Sequence, residues 1–523
     1  MSFEIIEVFV RSVTIERINE DPCKSVPCRV FLNGELVRET EDNVISLYYL
    51  TPDSDYTVRV EEGGEAEEKS FKTAHESFLL NVKDFGAKGD GLTDDTAALT
   101  ASIMSCPADG TIYFPKGSYL SGPLFFKSHM TVWIPKGASL IAQPDRSRYP
   151  ILPGMIRNRY DNKKEMSLGS WEGNPLDSFA SFITAIDAEN LSFIGEGCID
   201  GSADKGDWWK NPKVRRTAWR PNLVFLNNCR NVRFQGLHTG NSACWCFHPY
   251  YSDDLSFVDL TISNPADSPN TDGFDPESCR HILLLGTTIS VGDDCIALKS
   301  GKLYMAREHW QPTEGVEIRN CRLEYGHGSV TVGSEIAGGV KDVHVNKCLF
   351  LKTDRGLRIK TRRGRGERSV LTGLVFENIR MEGVKMPMTV NMFYCCDPDG
   401  HSAYVQDQSE KPATDMTPKI GSIIMRNIKA TGAEASFICA YGLPESPIGF
   451  IDAEDIEVEF AADAKPKVPI MMDDFPAFSG KSFYIHNAKK VRLKDIRVGG
   501  AKDAEPELEA VEEKEISGLR YGI

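Results

Sequence analysis

The chain has 523 residues, of which 41% are hydrophobic and 26% are charged, a composition ordinary for a soluble globular protein. Its formal net charge of −15 at pH 7 argues against nucleic acid and anionic membranes as partners. No apolar stretch approaches the roughly 20 residues needed to span a bilayer, and the acidic start without a small-residue cleavage site predicts a cytoplasmic protein.

The first segment predicts short strands separated by turns. The strands are expected at Glu4–Val10, Ser12–Ile18, Cys28–Leu32, Tyr56–Val60 and Lys69–Lys72. The run from Leu50 to Tyr56 resembles the Leu-x-Pro-x-x-x-Tyr corner of fibronectin type III domains, where the tyrosine hydroxyl ties a loop to its own backbone. We therefore predict a fibronectin type III-like β-sandwich over residues 1–78 that packs on its neighbour. The alternatives are another small sandwich and an irregular extension.

A short helix is predicted next. The run Thr93-Asp94-Asp95-Thr96 can cap its start, because side-chain oxygens accept hydrogen bonds from free backbone N–H groups and carboxylates favour the positive end of a helix. We expect this helix to continue to about Ser105. One face is small or apolar and would be buried, formed by Ala97, Thr100, Ile103 and Met104.

After this helix the chain repeats one apolar pattern. Most copies share apolar-x-apolar-x-x-apolar-x-apolar, at Asp254–Ser263, His281–Ser290, Gly315–Glu324, Asp342–Leu351, Gly373–Glu382, Ser422–Thr431 and Lys490–Gly499. Two runs in which every second residue is apolar, joined by a two-residue break, are typical of two short strands that meet at a corner. Each copy has too little apolar surface to fold alone, so the copies must stack on one another. We predict an all-β, right-handed, single-stranded parallel β-helix over residues 79–523. The acidic tail Asp503–Glu515 is expected outside the stack, and Cys321 and Cys348, in apolar strand positions, are expected as buried free thiols.

Three short polar motifs follow or interrupt the repeats: Asn270-Thr271-Asp272-Gly273, Gly292-Asp293-Asp294-Cys295 and Gly326-His327-Gly328. Equivalent positions on successive coils of a β-helix lie about 5 Å apart, so residues one coil apart converge on one surface. Asp272 lies 21 residues before Asp293, which is about one coil. Three crowded carboxylates repel one another, so at least one should hold a proton at neutral pH. Glycoside hydrolysis needs a protonated carboxyl for the leaving oxygen and an ionised one to activate water.

These motifs, followed by Arg358-Ile359-Lys360, resemble those of the polygalacturonases, the family-28 glycoside hydrolases. The similarity runs from about residue 80, beginning with Asn81-Val82-Lys83-Asp84-Phe85-Gly86, to about residue 500. It implies a β-helix of the pectin lyase-like type that hydrolyses α-galacturonide linkages of pectic oligosaccharides or galacturonan with inversion. It also implies that no metal ion or organic cofactor is required.

The resemblance implies a role for each site residue. Asp293 would protonate the glycosidic oxygen, while Asp272 and Asp294 would hold and deprotonate the attacking water. His327 would sit beside the acid and help to maintain its protonation. The side chains expected to bind the substrate are Asn270, Arg358, Lys360 and Tyr394. With a water between base and sugar, the acid and base carboxyls are expected about 6.5–9.5 Å apart.

A cluster of basic residues supports an acidic substrate independently. Seven basic residues lie close together in the sequence, with Glu367 as the single acidic residue among them. They are Arg355, Arg358, Lys360, Arg362, Arg363, Arg365 and Arg368. In a chain of net charge −15 this cluster predicts a local basic patch for an acidic sugar, since the planar fork of arginine suits a carboxylate. The alternative is an exposed loop with accidental charge.

Two insertions rich in tryptophan and basic residues, 144–179 and 205–220, bear on where the substrate is cut. Loops of this kind can close one end of a groove, which favours an exo-acting enzyme that releases terminal galacturonic acid. The alternatives are an endo-polygalacturonase, a rhamnogalacturonan-type galacturonosidase, a pectate lyase and a non-catalytic carbohydrate-binding β-helix. A lyase would use calcium and a basic residue, and a binding protein gains nothing from three clustered carboxylates.

Overall fold

The computed structural model describes residues 2–19, 26–157 and 165–522 of the chain. Strands dominate these ranges. The α-helices are Thr96–Ser105, Leu303–Glu308 and Ala403–Gln406, and the 3-10 helices are Val82–Phe85, Arg146–Arg148 and Ala203–Lys205. Within the same ranges, none of the helices combines the length and the apolar character that crossing a membrane requires.

The N-terminal segment forms two antiparallel sheets. Its strands are β1 Phe3–Val8, β2 Ser12–Arg17, β3 Cys28–Leu32, β4 Glu35–Thr40, β5 Val44–Tyr48, β6 Asp55–Glu62 and β7 Glu65–Lys72. One sheet has the order β1-β2-β5 and the other β4-β3-β6-β7, and both contribute to one apolar core. The hydroxyl of Tyr56 accepts a hydrogen bond from the Thr51 N–H at 2.9 Å, as the corner motif predicts. Strands β4 and β5 were not predicted, and the assignment of residues 1–78 as a fibronectin type III-like domain stays a prediction.

From Leu79 the chain winds into a parallel β-helix, which confirms the predicted fold class. The strands of its first stack are Leu79–Asn81, Gly110–Tyr113, Met130–Trp133, Glu189–Ile194, Arg230–Gln235, Asp253–Val258, Arg280–Leu285, Thr313–Arg319, Val340–Asn346, Val370–Glu382, Ser422–Ala433, Ile448–Phe460, Lys481–Gly499 and Glu507–Ser517. Those of the second stack are Asp90–Asp94, Gly117–Ser121, Ala138–Ala142, Cys198–Asp200, His238–Gly240, Thr261–Ser263, Thr288–Ser290, Arg322–Glu324 and Leu349–Leu351. The predicted repeats correspond to these two stacks and the corner between them.

The third stack carries the polar motifs at its edge. Its strands are Leu124–Phe126, Ile183–Ile186, Val224–Asn227, Phe247–Tyr250, Ile296–Leu298, Val330–Val332, Arg355–Lys360, Met386–Asn391 and Ser436–Tyr441. Short additional strands are Ile151–Leu152, Ile156–Arg157, Glu165–Met166, Ser178–Phe179, Lys419–Ile420 and Arg520–Tyr521. Because side chains alternate along each strand, every second residue of the third stack points away from the core.

The interior of the β-helix is a ladder of stacked apolar side chains. The rings of Phe193, Phe234 and Phe257 stack at centroid distances of 4.4 and 5.5 Å on successive coils. The cysteines in the part of the chain that the structure describes form no disulfide bonds, and Cys321 and Cys348 are buried as predicted. Stacking of this kind buries apolar surface that no single coil could bury alone.

The predicted helix forms as Thr96–Ser105, but its predicted buried face is wrong except at Ile103. Leu99, Ser102 and Ile103 are buried, whereas Ala97, Thr100 and Met104 are exposed. Its cap differs from the expectation, because the carboxylate of Asp95 accepts hydrogen bonds from the backbone N–H groups of Lys88 and Gly89 instead. The carboxylate of the preceding Asp94 accepts from the Thr96 N–H at 3.1 Å.

The predicted position of the acidic tail is wrong. Glu507–Ser517 pairs in parallel with Lys481–Gly499 and so belongs to the first stack. Its acids face basic side chains of the preceding strand, with Lys490 at 2.7 Å from Glu515 and Lys481 at 3.0 Å from Glu507. Neighbouring charges of opposite sign therefore allow a strongly acidic strand to extend the stack.

The N-terminal sheets pack on the first stack through both apolar and polar contacts. The amide of Gln235 donates to the hydroxyl of buried Thr14 at 2.7 Å, and Arg319 donates to the carboxylate of Glu16 at 2.9 Å. Satisfied buried hydrogen bonds fix one orientation of two packed surfaces. This contact lies on the first stack, whereas the polar motifs lie at the third.

Candidate active site

The turns that lead into the third stack bring the three predicted aspartates together. One carboxylate oxygen each from Asp272, Asp293 and Asp294 lies within 4.8 Å of the others. Backbone hydrogen bonds hold the coils in register, since the carbonyl of Asp294 accepts from the Gly273 N–H at 3.0 Å and that of Asp293 accepts from the His327 N–H at 3.0 Å. The arrangement concentrates negative charge at one edge of the β-helix.

Their surroundings separate the three carboxyls electrostatically. Burial, followed by the nearby charges of Asp275 and Asp293, raises the pKa of Asp272 well above its ordinary value. Burial also opposes ionisation of Asp294, but the charges of Lys360 and Arg358 outweigh it and hold the pKa of Asp294 below its usual range. One carboxyl therefore keeps a proton under conditions in which its neighbour is ionised, as acid–base catalysis requires.

Arg358 and Lys360 both bind Asp294. The guanidinium Nη1 of Arg358 donates to Oδ1 at 3.0 Å, and the Lys360 ammonium donates to Oδ2 at 3.0 Å. The two cations occupy alternate, outward positions of the strand Arg355–Lys360, and the Lys360 ammonium lies 5.4 Å from the centre of the Tyr394 ring. Three of the four predicted substrate-binding residues thus lie on one surface beside the aspartates.

One oxygen from each of the three aspartates lies within 4.8 Å of the others, so the acid and base carboxyls are close neighbours. The expected separation of about 6.5–9.5 Å between the carboxyl groups of an inverting pair stays a prediction. Neighbouring coils lie only about 5 Å apart, so residues on adjacent coils are held close together. The spacing alone therefore does not indicate inversion.

His327 is held by an acid that the motif analysis missed. Its Nδ1 lies 2.9 Å from Oδ2 of Asp354, and Lys385 forms an ion pair with the other oxygen of that carboxylate. The hydrogen bond to Asp354 raises the pKa of His327, against the effect of burial, and the charges of Asp293 and Asp294 raise it further. Asp354 follows the strand Leu349–Leu351, one coil after the strand that precedes His327. Its position in the repeat could therefore have identified it as a neighbour of His327.

The two glycines beside His327 make room for the acids. A Cβ atom at Gly328 would lie 2.8 Å from Oδ1 of Asp294 and 2.3 Å from the hydroxyl of Thr331. At Gly326 it would lie 2.5 Å from the carbonyl oxygen of Asp293. Real Cβ atoms do not approach that closely, so the Gly-His-Gly motif reflects close packing against the coil that carries the aspartates.

Most of the predicted basic patch has a structural role. Arg362 and Arg365 bind the carboxylate of Asp397 at 2.9 and 2.6 Å, and Arg363 binds Glu445 at 2.6 Å. These guanidinium groups are buried and already paired with acids from later segments. The interpretation of all seven residues as a substrate-binding patch is therefore wrong, and only Arg358 and Lys360 contact the aspartate cluster.

A second charged group lies next to the aspartates and was not predicted. The Lys299 ammonium is 3.4 Å from Asp275 and 3.2 Å from Glu335, and it lies 4.3 Å from the centre of the Trp245 ring. Asp275 and Lys299 follow Asp272 and Asp294 at outward positions of the same coils. Continuing the period-two pattern past each motif would have identified both.

The two insertions pack against each other at one end of this surface. The rings of Trp171 and Trp219 stack at 4.5 Å, and the guanidinium of Arg220 lies 5.3 Å from the centre of the Trp171 ring. The same guanidinium donates to the side-chain oxygen of Asn270 at 2.7 Å. The insertions therefore touch the motif that contains Asp272, and the predicted binding residue Asn270 is held by Arg220.

One insertion also reaches the Lys299 group. The carbonyl of Gly173 accepts a hydrogen bond from the Lys302 N–H at 2.9 Å. A Cβ atom at Gly173 would lie 2.9 Å from the side chain of Glu335, the partner of Lys299. The insertion therefore contacts the turns that follow the strands Ile296–Leu298 and Val330–Val332 of the third stack.

The three aspartates are also a group that could hold a metal ion by geometry. Arg358 and Lys360 already supply two positive charges to Asp294 within this group. A divalent ion would have to share that carboxylate with both side chains. The arrangement suits acid–base chemistry without requiring a metal.

Comparison with known proteins gives consistent matches. The family model described as glycosyl hydrolases family 28 matches residues 157–467, and one described as rhamnogalacturonase A/epimerase, pectate lyase-like matches residues 79–133. A probable polygalacturonase of Vitis vinifera is 30% identical over 417 residues, covering 78% of this chain and 78% of that protein. An exopolygalacturonase of Zea mays is 28% identical over 374 residues, covering 68% and 81%. The structure of a family 28 exopolygalacturonase of Yersinia enterocolitica superposes with a TM-score of 0.65 at 17% identity, covering 99% and 98%, and shares the fold.

Proposed function

The chain belongs to glycosyl hydrolase family 28, and we propose that it is an exo-acting polygalacturonase that releases galacturonic acid from the ends of galacturonan or its oligosaccharides. One observation supports this function most directly. Three carboxyls lie within 4.8 Å of one another beside two cations, and their surroundings push the pKa values of Asp272 and Asp294 in opposite directions. Such a site can protonate a leaving oxygen, activate water and bind an acidic sugar.

Catalysis begins with a proton inside the cluster. In the substrate-free site this proton resides on Asp272, the carboxyl with the raised pKa. Asp293 is more exposed than Asp272 and Asp294, which are 4% and 2% exposed, so it is the member that a glycosidic oxygen can reach. The proton passes to Asp293, which donates it to that oxygen as the bond from the anomeric carbon breaks.

Water completes the reaction. Its oxygen bonds to the anomeric carbon, and its proton goes to Asp272, which was left ionised by the first transfer. This step restores the starting protonation of the cluster. Asp294 stays ionised, because Arg358 and Lys360 each donate a hydrogen bond to it, and its carboxylate orients the attacking water.

Arg358 and Lys360 also present positive charge to the substrate. Both are nearly buried at outward positions beside the cluster, where a uronic acid carboxylate would replace water around them. A charge-assisted hydrogen bond is roughly twice as strong as a neutral one. The rest of this carboxylate-binding site would be lined by Tyr394, which lies next to Lys360, and by Asn270, which lies next to Arg220.

The insertions support cutting at chain ends. The stacked pair Trp171 and Trp219 and the backbone of Gly173 contact the third stack next to the acids, so this end of the surface is walled rather than open. A chain end fits against such a wall, whereas a continuous chain would have to pass through it. The cytoplasmic location and the fibronectin type III-like domain remain predictions that do not bear on this chemistry.

Time-resolved analysis of the products from a defined oligogalacturonide tests this function. The expected early products are galacturonic acid and the oligomer shortened by one unit. Early release of mixed internal fragments would indicate an endo-acting enzyme, and an unsaturated, ultraviolet-absorbing product would indicate a lyase. Replacing Trp171 by Ala should open the wall and add internal fragments, whereas Trp209→Ala, in the neighbouring insertion, should leave the product pattern unchanged.

A further inference from the structure

We propose that Cys395, His401 and Asp473 form a binding site for a thiophilic divalent cation of the zinc class, separate from the three aspartates. The sulfur atom, a ring nitrogen and a carboxylate oxygen of these residues all lie within 4.8 Å of one another. Sulfur, nitrogen and oxygen donors in one set are typical of Zn²⁺ sites. Calcium and magnesium prefer oxygen ligands alone, so the donor set discriminates between these classes.

The donors are close to the geometry that zinc requires. With zinc bond lengths of about 2.0–2.3 Å, tetrahedral ligand atoms lie about 3.3–3.8 Å apart. The Cys395 sulfur, which lies within 4.8 Å of the other two donors, therefore needs to approach them by no more than about 1 Å. Nδ1 of His401 already lies 2.7 Å from Oδ1 of Asp473, and the ion would replace the proton that these two atoms share. The His401 side chain is 68% exposed and free to adjust, and a water would complete the coordination.

One side chain fixes both segments that carry the donors. The amide nitrogen of Gln406 donates to the carbonyls of Phe393 and Gly400 at 2.8 and 2.7 Å. Its amide oxygen accepts from the Asp473 N–H at 3.1 Å. Outer hydrogen bonds of this kind hold metal ligands in position.

The turn between Cys395 and His401 is also closely packed. A Cβ atom at Gly400 would lie 2.2 Å from the carbonyl oxygen of Cys395, so the turn requires a glycine there. The Cys395 N–H donates to the carbonyl of Met471 at 3.2 Å, which joins the two segments a second time. The donors are thus held together by backbone contacts that do not depend on the ion.

Both segments reach the active site. The sulfur of Met471 lies 3.1 Å from Nη2 of Arg358, and Tyr394, next to Cys395 in the chain, lies under Lys360. An ion bound by Cys395 and Asp473 would link these segments to each other. It would therefore stabilise the two segments that carry Tyr394 and Met471 without touching the reacting atoms.

A second group of comparable residues serves as a control. His486, Glu507 and Glu509 also place donor atoms within 4.8 Å of one another. They lack a thiol, and the Lys481 ammonium already lies 3.0 Å from Glu507. Replacing His486 by Ala should therefore leave binding of a thiophilic ion unchanged.

Cobalt titration of the full chain, stripped with a chelator, tests the site. One equivalent of Co²⁺ should produce a thiolate-to-cobalt charge-transfer absorption in the near ultraviolet, and Zn²⁺ should abolish it by displacement. Cys395→Ser should eliminate the absorption, His401→Ala and Asp473→Asn should weaken cobalt binding at least about 10-fold, and Cys396→Ser and His486→Ala should retain it. The proposal is overturned if the absorption is absent in the wild type, persists in Cys395→Ser, or disappears in Cys396→Ser.

Alkylation of the wild-type chain gives a second test that needs no variant to fold. Saturating Zn²⁺ should slow iodoacetamide labelling of Cys395 at least about 10-fold, because the thiolate that reacts is also the metal ligand. Labelling of exposed Cys396, measured in the same peptides by mass spectrometry, should be unaffected. Equal labelling of Cys395 with and without Zn²⁺ would contradict the site, and neither test depends on the polygalacturonase activity.

Discussion

Arg358 and Asp294 lie two coils apart in the β-helix, yet the guanidinium Nη1 donates to the carboxylate Oδ1 at 3.0 Å. Lys360 donates to the other oxygen at the same distance. Stacking of coils therefore pairs residues that are 64 positions apart in the chain. The same two cations keep Asp294 ionised and face the position of an acidic sugar.

Replacing Arg358 by Gln should weaken substrate binding and raise the pKa of Asp294. The loss of one charge-assisted hydrogen bond, worth about 1.5–3 kcal/mol, corresponds to a KM increase of about 10- to 150-fold. Steady-state kinetics across pH would show this increase together with a shift of the acidic limb to higher pH. Arg307→Gln, which removes an exposed pair with Asp415, is the matched control. An unchanged KM would remove Arg358 from the substrate-binding site.

Replacing Asp272 by Asn should stabilise the folded protein at neutral pH while abolishing turnover. The folded-state pKa of Asp272 is raised, so the folded chain holds a proton that the unfolded chain releases above about pH 3.9. The protonated carboxyl makes its whole contribution to the free energy of unfolding below that pH. This contribution is lost as pH rises through the pKa of Asp272 in the folded state. Asn removes this loss, so the unfolding midpoint at pH 7 should rise by about 1–3 °C, with no gain near pH 3. A lower midpoint at pH 7 would contradict the protonated state of Asp272.

Replacing Asp354 by Asn should lower the pKa of His327. The hydrogen bond from His327 to Asp354 is the main cause that raises this pKa, so its loss lets burial favour the neutral imidazole. Because the charged imidazolium beside the aspartates then persists only to lower pH, the alkaline limb of the kcat/KM profile should move to lower pH. A profile identical to that of the wild type would show that His327 has no influence on the acid.

The stereochemistry of the first product tests direct attack by water. Asp294 is bound by two cations and has a lowered pKa, which makes it a poor nucleophile, and Asp272 is protonated in the resting site. We therefore expect inversion, with β-galacturonic acid formed first from an α-linkage, as proton NMR of early time points can show. The α-anomer would instead indicate a covalent intermediate, which the short spacing of the carboxyls would allow.

The β-helix could be predicted from the sequence because its pattern is local and repeated. Each coil from Asp254 onward places apolar residues at the same offsets, and the polar motifs fall between strands at one-coil intervals. Position in the repeat then fixes which residues meet. For this reason the sequence alone places Asp272, Asp293 and Asp294 on one surface.

The remaining contacts depend on segments that break the repeat. Arg362, Arg363 and Arg365 looked available for substrate, but Asp397 and Glu445 pair with them. Those acids lie in irregular segments after later strands, where no periodicity indicates which coil they face. The acidic tail was misplaced for a similar reason, since the basic side chains that pair with its acids lie on the preceding strand.

The most direct test of the catalytic assignment is the turnover of Asp293→Asn on two substrates that differ in their leaving group. On an oligogalacturonide the variant should lose about 10²- to 10⁴-fold in kcat while binding is retained, because the leaving oxygen then departs without a proton. On an aryl galacturonide with an acidic phenol, which needs no such proton, the loss should be far smaller. Turnover of the oligogalacturonide within about twofold of the wild type, or equal losses on both substrates, would contradict Asp293 as the general acid.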